Sequence, residues 1–363
     1  MLPAPPSRRA LRVRVVLPLL VVAGLLVACG GGDGPVLIDA TAGPSTVLTA
    51  TLAPTPTALP TPTPVPEPEF FSPFNGMPLE EESLERVLAI KIDNHRNARP
   101  QVGIQHADMI VEIFVEGTTR LLSVWQSNDA DVVGPIRSMR PTDFSIQKYW
   151  QSLFINSGGQ DWVAAIGNRS GVQYFVEPPD GTFRDRSRVA PHQIMGVTSE
   201  LRNLNSRGDY DEPLEAHWNF GPMPEDAEPV ERVTTRWVYF TSGTTAFWEW
   251  NEGQFERSQD GRPHMFVDDE GEQQQITADT LIVFEMEIRN QNGGEGTKAL
   301  PVTQTVGSGP VSVFADGMVS TGTWSRSSDE EWFTLTYDDG EEMTVPPGRL
   351  WMILGNTGRV ETT

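Results

Sequence analysis

The stretch that decides the fold runs from Val87 to Arg140 and reads VLAIKIDNHRNARPQVGIQHADMIVEIFVEGTTRLLSVWQSNDADVVGPIRSMR. Apolar and polar residues alternate in 87–94 and again in 109–117, as is typical of β-strands. The segment EGTTR at 116–120 then predicts a hairpin turn, after which a third strand returns beside the second. The stretch therefore predicts neighbouring strands of one sheet.

Ionisable residues occupy the polar positions of these strands. If the strands are neighbours, the alternation is expected to bring five such side chains onto one face of the sheet: Lys91, Asp93, Glu112, Glu116 and Arg120. One interpretation is a solvated face with weak cross-strand ion pairs. The other is the floor of a ligand-binding site.

The amino terminus predicts export and lipidation. Residues 1–28 contain four arginines between positions 8 and 14 and then an apolar run of 14 residues, Val15–Ala28, which is short for a membrane-spanning helix. The sequence LVAC at 26–29 resembles a bacterial lipobox and predicts diacylglycerol on Cys29. We therefore expect a lipoprotein signal peptide and a protein anchored by lipid at the extracytoplasmic face of the cell membrane.

Cys29 is the single cysteine of the chain, so the sequence predicts neither a disulfide nor a cysteine-based metal site. Residues 29–68 are rich in glycine, threonine and proline and predict a disordered tether. In extended polyproline geometry the part after the lipidated cysteine could reach about 120 Å. The folded part could then stand clear of the bilayer.

The charge of the chain disfavours nucleic acid as a partner. Lys and Arg number 27 against 49 Asp and Glu; without the four signal arginines, 23 basic residues remain and the formal charge is −26. The sequence contains no phosphate-loop motif and no zinc-finger spacing. Oligomeric state is left open.

Strands alternating with helices predict an α/β or α+β N-terminal domain at 69–225. Helices are expected over Thr142–Trp150, capped by Thr142, and from about Asp161 onward. Residues 226–363 predict a mainly β C-terminal domain, with strands in the runs 233–240, 246–250, 281–288, 311–314, 332–337 and 350–354. Its tryptophans indicate either a buried core or an exposed surface that stacks on sugars or peptides.

Basic residues are concentrated between Gly134 and His192, a segment with a net charge of +2. Arg137 and Arg140 precede a predicted helix start, which favours anions. Five basic residues are candidates for binding a carboxylate or a phosphate: Arg137, Arg140, Arg184, Arg188 and His192. The alternative is that they pair with the surplus carboxylates of the protein.

A catalytic or metal site is a weaker hypothesis. Asp93 and His95 could supply two ligands from one strand end, with Glu112 or His192 completing the set. No cofactor is predicted, and a divalent metal is the alternative. Glu112 and Glu116 would lie about 13 Å apart along a strand, too far for a glycosidase pair.

A series of short motifs resembles the YerB-like family of bacterial lipoproteins, a domain of unknown function. They are KIDNH at 91–95, ARPQ at 98–101, VEG at 115–117, GPIRS at 134–138, APH at 190–192, GTWS at 322–325, DDG at 338–340 and PGRLW at 347–351. Gln193 departs from the asparagine usual in the family. The resemblance implies a two-domain, surface-anchored lipoprotein without an established activity, and Arg99 joins the candidate residues.

Two functions follow as hypotheses. The first is a binding or scaffolding module for an anionic cell-envelope ligand or a protein partner. The second is an extracytoplasmic hydrolase or transferase that uses Asp93, His95 and Glu112 on a cell-envelope substrate, with or without a metal. A closed cleft with shifted carboxylate pKa values would favour the second.

Overall fold

An eleven-stranded mixed sheet forms the centre of the part of the chain that the computed structural model describes, residues 68–239 and 241–363. These described residues belong to one compact unit. The predicted signal peptide, Cys29 and the predicted tether lie outside the described residues apart from position 68. The described residues are mostly β, with three short α-helices.

The first half of the described chain supplies eleven strands, three helices and one 3-10 turn. The strands are β1 (Phe70–Phe71), β2 (Pro78–Leu79), β3 (Leu88–Ile92), β4 (Gln101–Val102), β5 (Met109–Phe114), β6 (Thr119–Trp125), β7 (Leu153–Asn156), β8 (Gln173–Val176), β9 (Thr182–Arg184), β10 (Ile194–Gly196) and β11 (Asn219–Phe220). The helical elements are η1 (Ile104–His106), α1 (Pro141–Gln147), α2 (Asp161–Ser170) and α3 (Thr198–Arg202).

The second half consists of strands and turns. The strands are β12 (Glu228–Pro229), β13 (Arg232–Tyr239), β14 (Ser242–Asn251), β15 (Gln254–Gln259), β16 (Arg262–Pro263), β17 (Met265–Val267), β18 (Gln273–Gln275), β19 (Thr277–Ala278), β20 (Thr280–Met286), β21 (Ile288–Gln291), β22 (Leu300–Thr303), β23 (Gly307–Ala315), β24 (Met318–Arg326), β25 (Thr334–Thr336), β26 (Thr344–Val345), β27 (Leu350–Asn356) and β28 (Val360–Thr362). Each of the six predicted strand runs overlaps one of them.

The central sheet takes strands from both halves of the chain. Its order is β12-β24-β23-β20-β27-β5-β6-β3-β7-β8, and β25 pairs with β24. The halves meet where β27 and β5 pair in parallel, with Leu350 opposite Met109. Hydrogen bonds of one sheet thus cross the predicted boundary at 225/226, while the boundary itself stays a prediction.

Both faces of the central sheet are covered, because β3, β5 and β6 are buried along their whole length. One face, with Ala89 and Val111, packs against α1 and α2; we call it the helix face. The other, with Ile90 and Trp125, is called the sheet face. It packs against a six-stranded sheet that includes Trp248; the order is β16-β15-β14-β13-β28, and β19 pairs with β15. The interpretation of a solvated polar face is therefore wrong.

The strand register also separates two of the predicted neighbours. Lys91 lies opposite Leu122, which lies opposite Val111, so these three side chains share the helix face. Glu112 is the next residue along β5 and projects from the sheet face. The expectation that Glu112 shares one polar face with Lys91 is wrong because each strand has its own phase of alternation.

Helix α1 differs from its prediction at both ends. It begins at Pro141, after Arg140 as the N-cap, and ends at Gln147. Thr142 is therefore not the cap; its hydroxyl accepts a hydrogen bond from the backbone N–H of Thr303 at 3.1 Å. Helix α2 begins at Asp161 as predicted.

Most tryptophans of the second half belong to the core, which was the first of the two interpretations: Trp237, Trp248, Trp324 and Trp351 are each at most 4% exposed, as is Trp218 just upstream. Trp250 and Trp332 are half-buried. Across 68–239 and 241–363, no helix has the length and apolarity needed to cross a membrane.

Candidate functional site

The end of β3 positions the first functional side chain. Asp93 follows the strand directly, and its backbone N–H donates to the carbonyl of Pro135 at 2.8 Å. Two residues further along that loop, the N–H of Arg137 donates to the carbonyl of Lys91 at 2.7 Å. The loop 134–138 thus runs antiparallel to the end of β3, which brings Arg137 beside Asp93.

Asp93 is only 1% exposed and has two hydrogen-bond partners and one ion-pair partner. Its Oδ2 lies 2.7 Å from Nδ1 of His192 and 3.1 Å from Nε of Arg137. Its Oδ1 accepts the backbone N–H of His95 at 3.0 Å. Asp93 therefore contacts His95, Arg137 and His192, three residues that the sequence analysis predicted as candidates for one site.

The imidazoles of His95 and His192 stack, with ring centroids 4.9 Å apart and an angle of 6° between the planes. Nδ1 of His95 accepts the N–H of Asn97 at 3.2 Å, so neutral His95 carries its proton on Nε2. When Nδ1 of His192 donates to Asp93, its Nε2 has the free lone pair. Burial first, and the charge of neighbouring His192 next, lower the pKa of His95.

Arg120 is one of two buried arginines in this site, the other being Arg140. It projects from the helix face, opposite Ile113, and is 8% exposed. Its Nη1 donates to the carbonyl of Ser138 at 2.7 Å, while Nε has no hydrogen-bond partner in the described part of the chain. Burial, and then the charge of Arg140, lower the pKa of Arg120 to about 9, so it is still a cation at neutral pH.

Arg140 has a carboxylate of its own. Nε and Nη2 of Arg140 donate to the two carboxylate oxygens of Glu116 at 2.8–3.0 Å, and its Nη1 donates to the carbonyl of Met139 at 2.7 Å. Burial alone would raise the pKa of Glu116, but the nearby arginines outweigh it and lower that pKa. The alternative of pairing with surplus carboxylates is thus right for Arg140.

A buried ion pair lies under these residues. Nζ of Lys91 contacts Oδ1 of Asp143 at 2.6 Å, and both side chains are fully buried. Desolvation lowers the pKa of Lys91 to about 8, although Asp143 opposes the shift. Oδ2 of Asp143 also accepts the backbone N–H of Arg140 at 2.6 Å, so a carboxylate of the chain itself occupies the predicted anion position at the helix start.

We call these residues the basic cluster: Lys91, Asp93, Glu116, Arg120, Arg137, Arg140, Asp143 and His192. Four cations face three carboxylates when the histidine is neutral, which leaves one positive charge in excess. Three ion pairs account for Lys91, Arg137 and Arg140. The excess charge is therefore that of Arg120.

Apart from His95, which stacks on His192 at the edge of the basic cluster, four of the candidate residues lie outside it. Arg184 is exposed and pairs with Glu177 at 2.5 Å. Arg188 donates to the carbonyls of Ala98 and Pro100 at 2.9 and 2.8 Å and thereby ties two loops together.

Arg99 holds Asn94 through two hydrogen bonds of 2.9 and 3.0 Å and lies 3.7 Å from Asp260. Glu112 is on the opposite face of the sheet. The proposed catalytic or metal set of Asp93, His95 and Glu112 is therefore not formed.

Glu112 belongs to a second buried polar network that sequence reasoning missed. Its Oε1 lies 2.5 Å from Nη2 of Arg257 and 2.7 Å from the hydroxyl of Thr119, and its Oε2 accepts from Nε1 of Trp351 at 3.1 Å. Nη1 of Arg257 in turn contacts Gln259 and His264. This network joins the central sheet to the six-stranded sheet.

The other polar groups of the network also bond to one another, while Nε of Arg257 has no hydrogen-bond partner among the described residues. His264 contacts Gln101 at 2.8 Å, and Gln259 accepts from Asn94 at 2.8 Å. Burial strongly lowers the pKa of His264, which keeps it neutral beside Arg257. Arg257 was missed because its strand, QFERSQ, has several polar residues and no signal distinguishes a buried one from exposed ones.

In the described part of the chain, no group of three or more His, Cys, Asp or Glu side chains has a geometry that would hold a metal ion. Asp93, His95 and His192 lie close together, and Asp93 uses its two carboxylate oxygens in hydrogen bonds to the other two residues.

Comparisons with known proteins show that the chain is similar to one family. The N-terminal and C-terminal domain models of DUF3048, described as a protein of unknown function, match residues 74–211 and 234–352. YerB of Bacillus subtilis (strain 168), a candidate lipoprotein, is 36% identical over 89 residues, which are 24% of this chain and 27% of YerB. The aligned part is thus about a quarter of that relative.

The crystal structure of the YerB protein from Bacillus subtilis has the same fold. It aligns with a TM-score of 0.68 and 19% sequence identity, over 81% of this chain and 100% of that chain.

Proposed function

Since the chain belongs to the DUF3048 family of proteins of unknown function, we propose that it is a lipid-anchored binding protein of the cell envelope that holds an anionic ligand at the basic cluster. The anchor is the lipid predicted on Cys29. The ligand is a component of the cell envelope, or a protein partner, that presents a phosphate or a carboxylate on the extracytoplasmic face of the membrane.

The observation that carries this proposal is the state of Arg120. It is a buried guanidinium that makes one hydrogen bond, to a neutral carbonyl, and it forms no ion pair with a carboxylate of the described residues. Burying an uncompensated charge costs several kcal/mol. A ligand oxyanion would remove that cost, and the fork of N–H groups suits phosphate and carboxylate geometry.

The neighbours of Arg120 support access and specificity. The side chain of Arg137 is 21% exposed, so a ligand can reach the cluster from solvent beside it. His95 is half-buried at the same edge. Because the chain as a whole is strongly acidic, its surface repels anions elsewhere, and an anion is expected to bind where the local charge is reversed.

Isothermal titration calorimetry with inorganic phosphate, and with purified muropeptides as a second probe, tests the proposal. The wild-type chain is compared with Arg120→Gln and with Arg184→Gln as the control, because Arg184 is exposed and outside the cluster. We expect the wild type and R184Q to bind at least one probe with equal affinity and R120Q to bind it at least 10-fold more weakly.

The proposal fails if R120Q binds every probe as the wild type does, or if no probe binds the wild type at millimolar concentration. Folding of R120Q is checked by urea unfolding. Should that variant not fold, Arg137→Gln, at the exposed edge of the cluster, takes its place with the same expected loss.

A second candidate function, a hydrolase or transferase, is favoured by the Asp93–His192 pair alone. A histidine whose Nδ1–H is held by a carboxylate presents Nε2 as a proton acceptor, as general bases do. Turnover of bis(p-nitrophenyl) phosphate that falls at least 100-fold in His192→Gln would support it. If the wild type and H192Q both hydrolyse this substrate no faster than the uncatalysed reaction, hydrolysis of phosphodiesters is excluded as the function.

A further inference from the structure

A groove of about 390 Å³ lies between α1, α2 and β22, and none of the residues that line it belongs to the basic cluster. Its volume is within the range of small-molecule sites. Hydroxyl groups line it from three elements: Ser145 on α1, Ser170 on α2, and Thr303 and Thr305 at the end of β22. The side-chain amide of Gln304 adds a further donor and acceptor. The groove is thus rich in neutral hydrogen-bonding groups.

The floor of the groove is apolar. Phe144 and Val302 are buried beneath it, Ile166 is half-buried, and Val306 at the rim is 45% exposed. A combination of hydroxyls and an apolar floor fits a sugar ring, which has polar edges and an apolar face of C–H groups. Ser145, Thr305 and Ser170 have hydrogen-bond partners within the protein, so the hydroxyl that an aliphatic ligand would leave without a partner is that of Thr303.

One of these hydroxyls lacks a partner in the described part of the chain. Thr303 is 2% exposed, and its Oγ1 makes no hydrogen bond, although its backbone N–H donates to Thr142. A buried polar group without a partner costs about 1–3 kcal/mol. A ligand hydroxyl in the groove would supply the missing hydrogen bond.

The charged side chains at the rim differ in whether they already have a partner in the protein. Lys148 pairs with Glu330 at 2.6 Å, and Asp329 accepts the hydroxyl of Ser145 at 2.5 Å. Arg169, at the end of α2, is exposed and pairs with no carboxylate of residues 68–239 or 241–363. The guanidinium of Arg169 is therefore available to pair with an anionic ligand, and its geometry matches that of a carboxylate.

We infer that this groove is a binding site for a saccharide that carries a carboxylate. The sugar ring lies on Ile166 and Val302, a ring hydroxyl bonds Thr303, and the carboxylate pairs with Arg169. The site is separate from the basic cluster and does not depend on the function proposed for that cluster.

Saturation-transfer NMR and calorimetry on the full-length chain test this site with D-glucuronate and N-acetylmuramic acid, each against its neutral counterpart, D-glucose or N-acetylglucosamine. We expect the acidic sugar of at least one pair to bind about 10-fold more tightly, which corresponds to about 1.4 kcal/mol. Arg169→Gln removes that preference, and Thr303→Val weakens both members of the pair.

Arg186→Gln is the matched control, since Arg186 is an exposed arginine outside the groove and is expected to leave affinity unchanged. Thr303→Val keeps the shape of the side chain and removes an unpaired hydroxyl, so the variant is expected to fold. The inference is overturned if R169Q keeps the preference for the acidic sugar, if R186Q loses it equally, or if none of the four sugars binds at 10 mM.

Discussion

Nδ1 of His192 lies 2.7 Å from Oδ2 of Asp93, although the two residues are 99 positions apart in the chain. The contact joins the end of a central strand to the loop after β9, and the ring of His192 stacks on that of His95. Asp93 is therefore the residue around which the exposed edge of the basic cluster is arranged.

Asp93→Asn is expected to lower stability and raise anion affinity together. The substitution leaves Arg137 without its carboxylate and weakens the bond to His192. The free energy of unfolding, measured in urea, should therefore fall by about 1.5–3 kcal/mol. The cluster gains a second excess positive charge, so phosphate should bind more tightly. Asp260→Asn, at a carboxylate 51% exposed, is the control for both measurements.

Glu112→Gln is expected to destabilise the protein by about 3–5 kcal/mol, because it leaves the fully buried Arg257 without a counter-charge. The double variant E112Q/R257M removes both charges and should recover most of the loss. Glu249→Gln breaks the exposed pair with Arg232 and should change stability by less than about 1 kcal/mol. Equal losses in E112Q and E249Q, measured by urea unfolding, would contradict the argument.

Lys91 is expected to make stability rise with pH in the alkaline range. Its pKa is about 8 in the folded protein and 10.5 in the unfolded chain, so between these values the unfolded chain binds a proton that the folded protein does not. The contribution is at most about 3 kcal/mol between pH 8 and pH 10.5.

The measurement is the difference between urea unfolding free energies at pH 8 and pH 10, for the wild type and for K91M/D143N, which removes both charges of the pair. The wild type should gain more stability over this range than the double variant. Identical pH profiles would mean that the pKa of Lys91 is not lowered by burial.

Gly167→Ala is expected to destabilise the contact between α1 and α2. An added Cβ would lie 2.5 Å from Cζ of Phe144 and 3.0 Å from Cε1 of Tyr174, which is too close for either ring. Overpacking of this kind costs about 1–3 kcal/mol. Alanine is favoured over glycine in a helix by about 1 kcal/mol, so the steric cost is expected to be the larger of the two effects. The double variant G167A/F144L makes room for the methyl group, and in a double-mutant cycle it should be less destabilised than the two single changes added together.

Cys29→Ser tests the predicted anchor, which lies outside the described residues. The substitution removes the sulfur that would carry the lipid, so the protein should move from the membrane fraction to the soluble fraction of the cell. Ser45→Ala, in the tether, should leave it in the membrane fraction. Retention of the serine variant in the membrane would contradict lipidation at this cysteine.

Local pattern predicted the strands and most of the candidate residues. Period-two alternation located β3 and β5, and the hairpin turn at 116–120 located β6. The reversal of charge between 134 and 192 pointed to Arg137 and His192, which do lie beside Asp93. The pattern could not say that Glu112 and Lys91 project from opposite faces. Alternation within one strand does not determine its register with the next.

The sequence by itself determined that the chain has a basic and apolar amino terminus with one cysteine, a Thr/Pro-rich stretch and a strand-rich remainder. Only the tertiary structure decided that Arg140 is paired and that Arg120 is buried without a carboxylate partner among the described residues. It also decided that Arg257 neutralises Glu112 across 145 positions. The physical reason is that a charge acts over a few ångströms of space, and distance along the chain does not measure that separation.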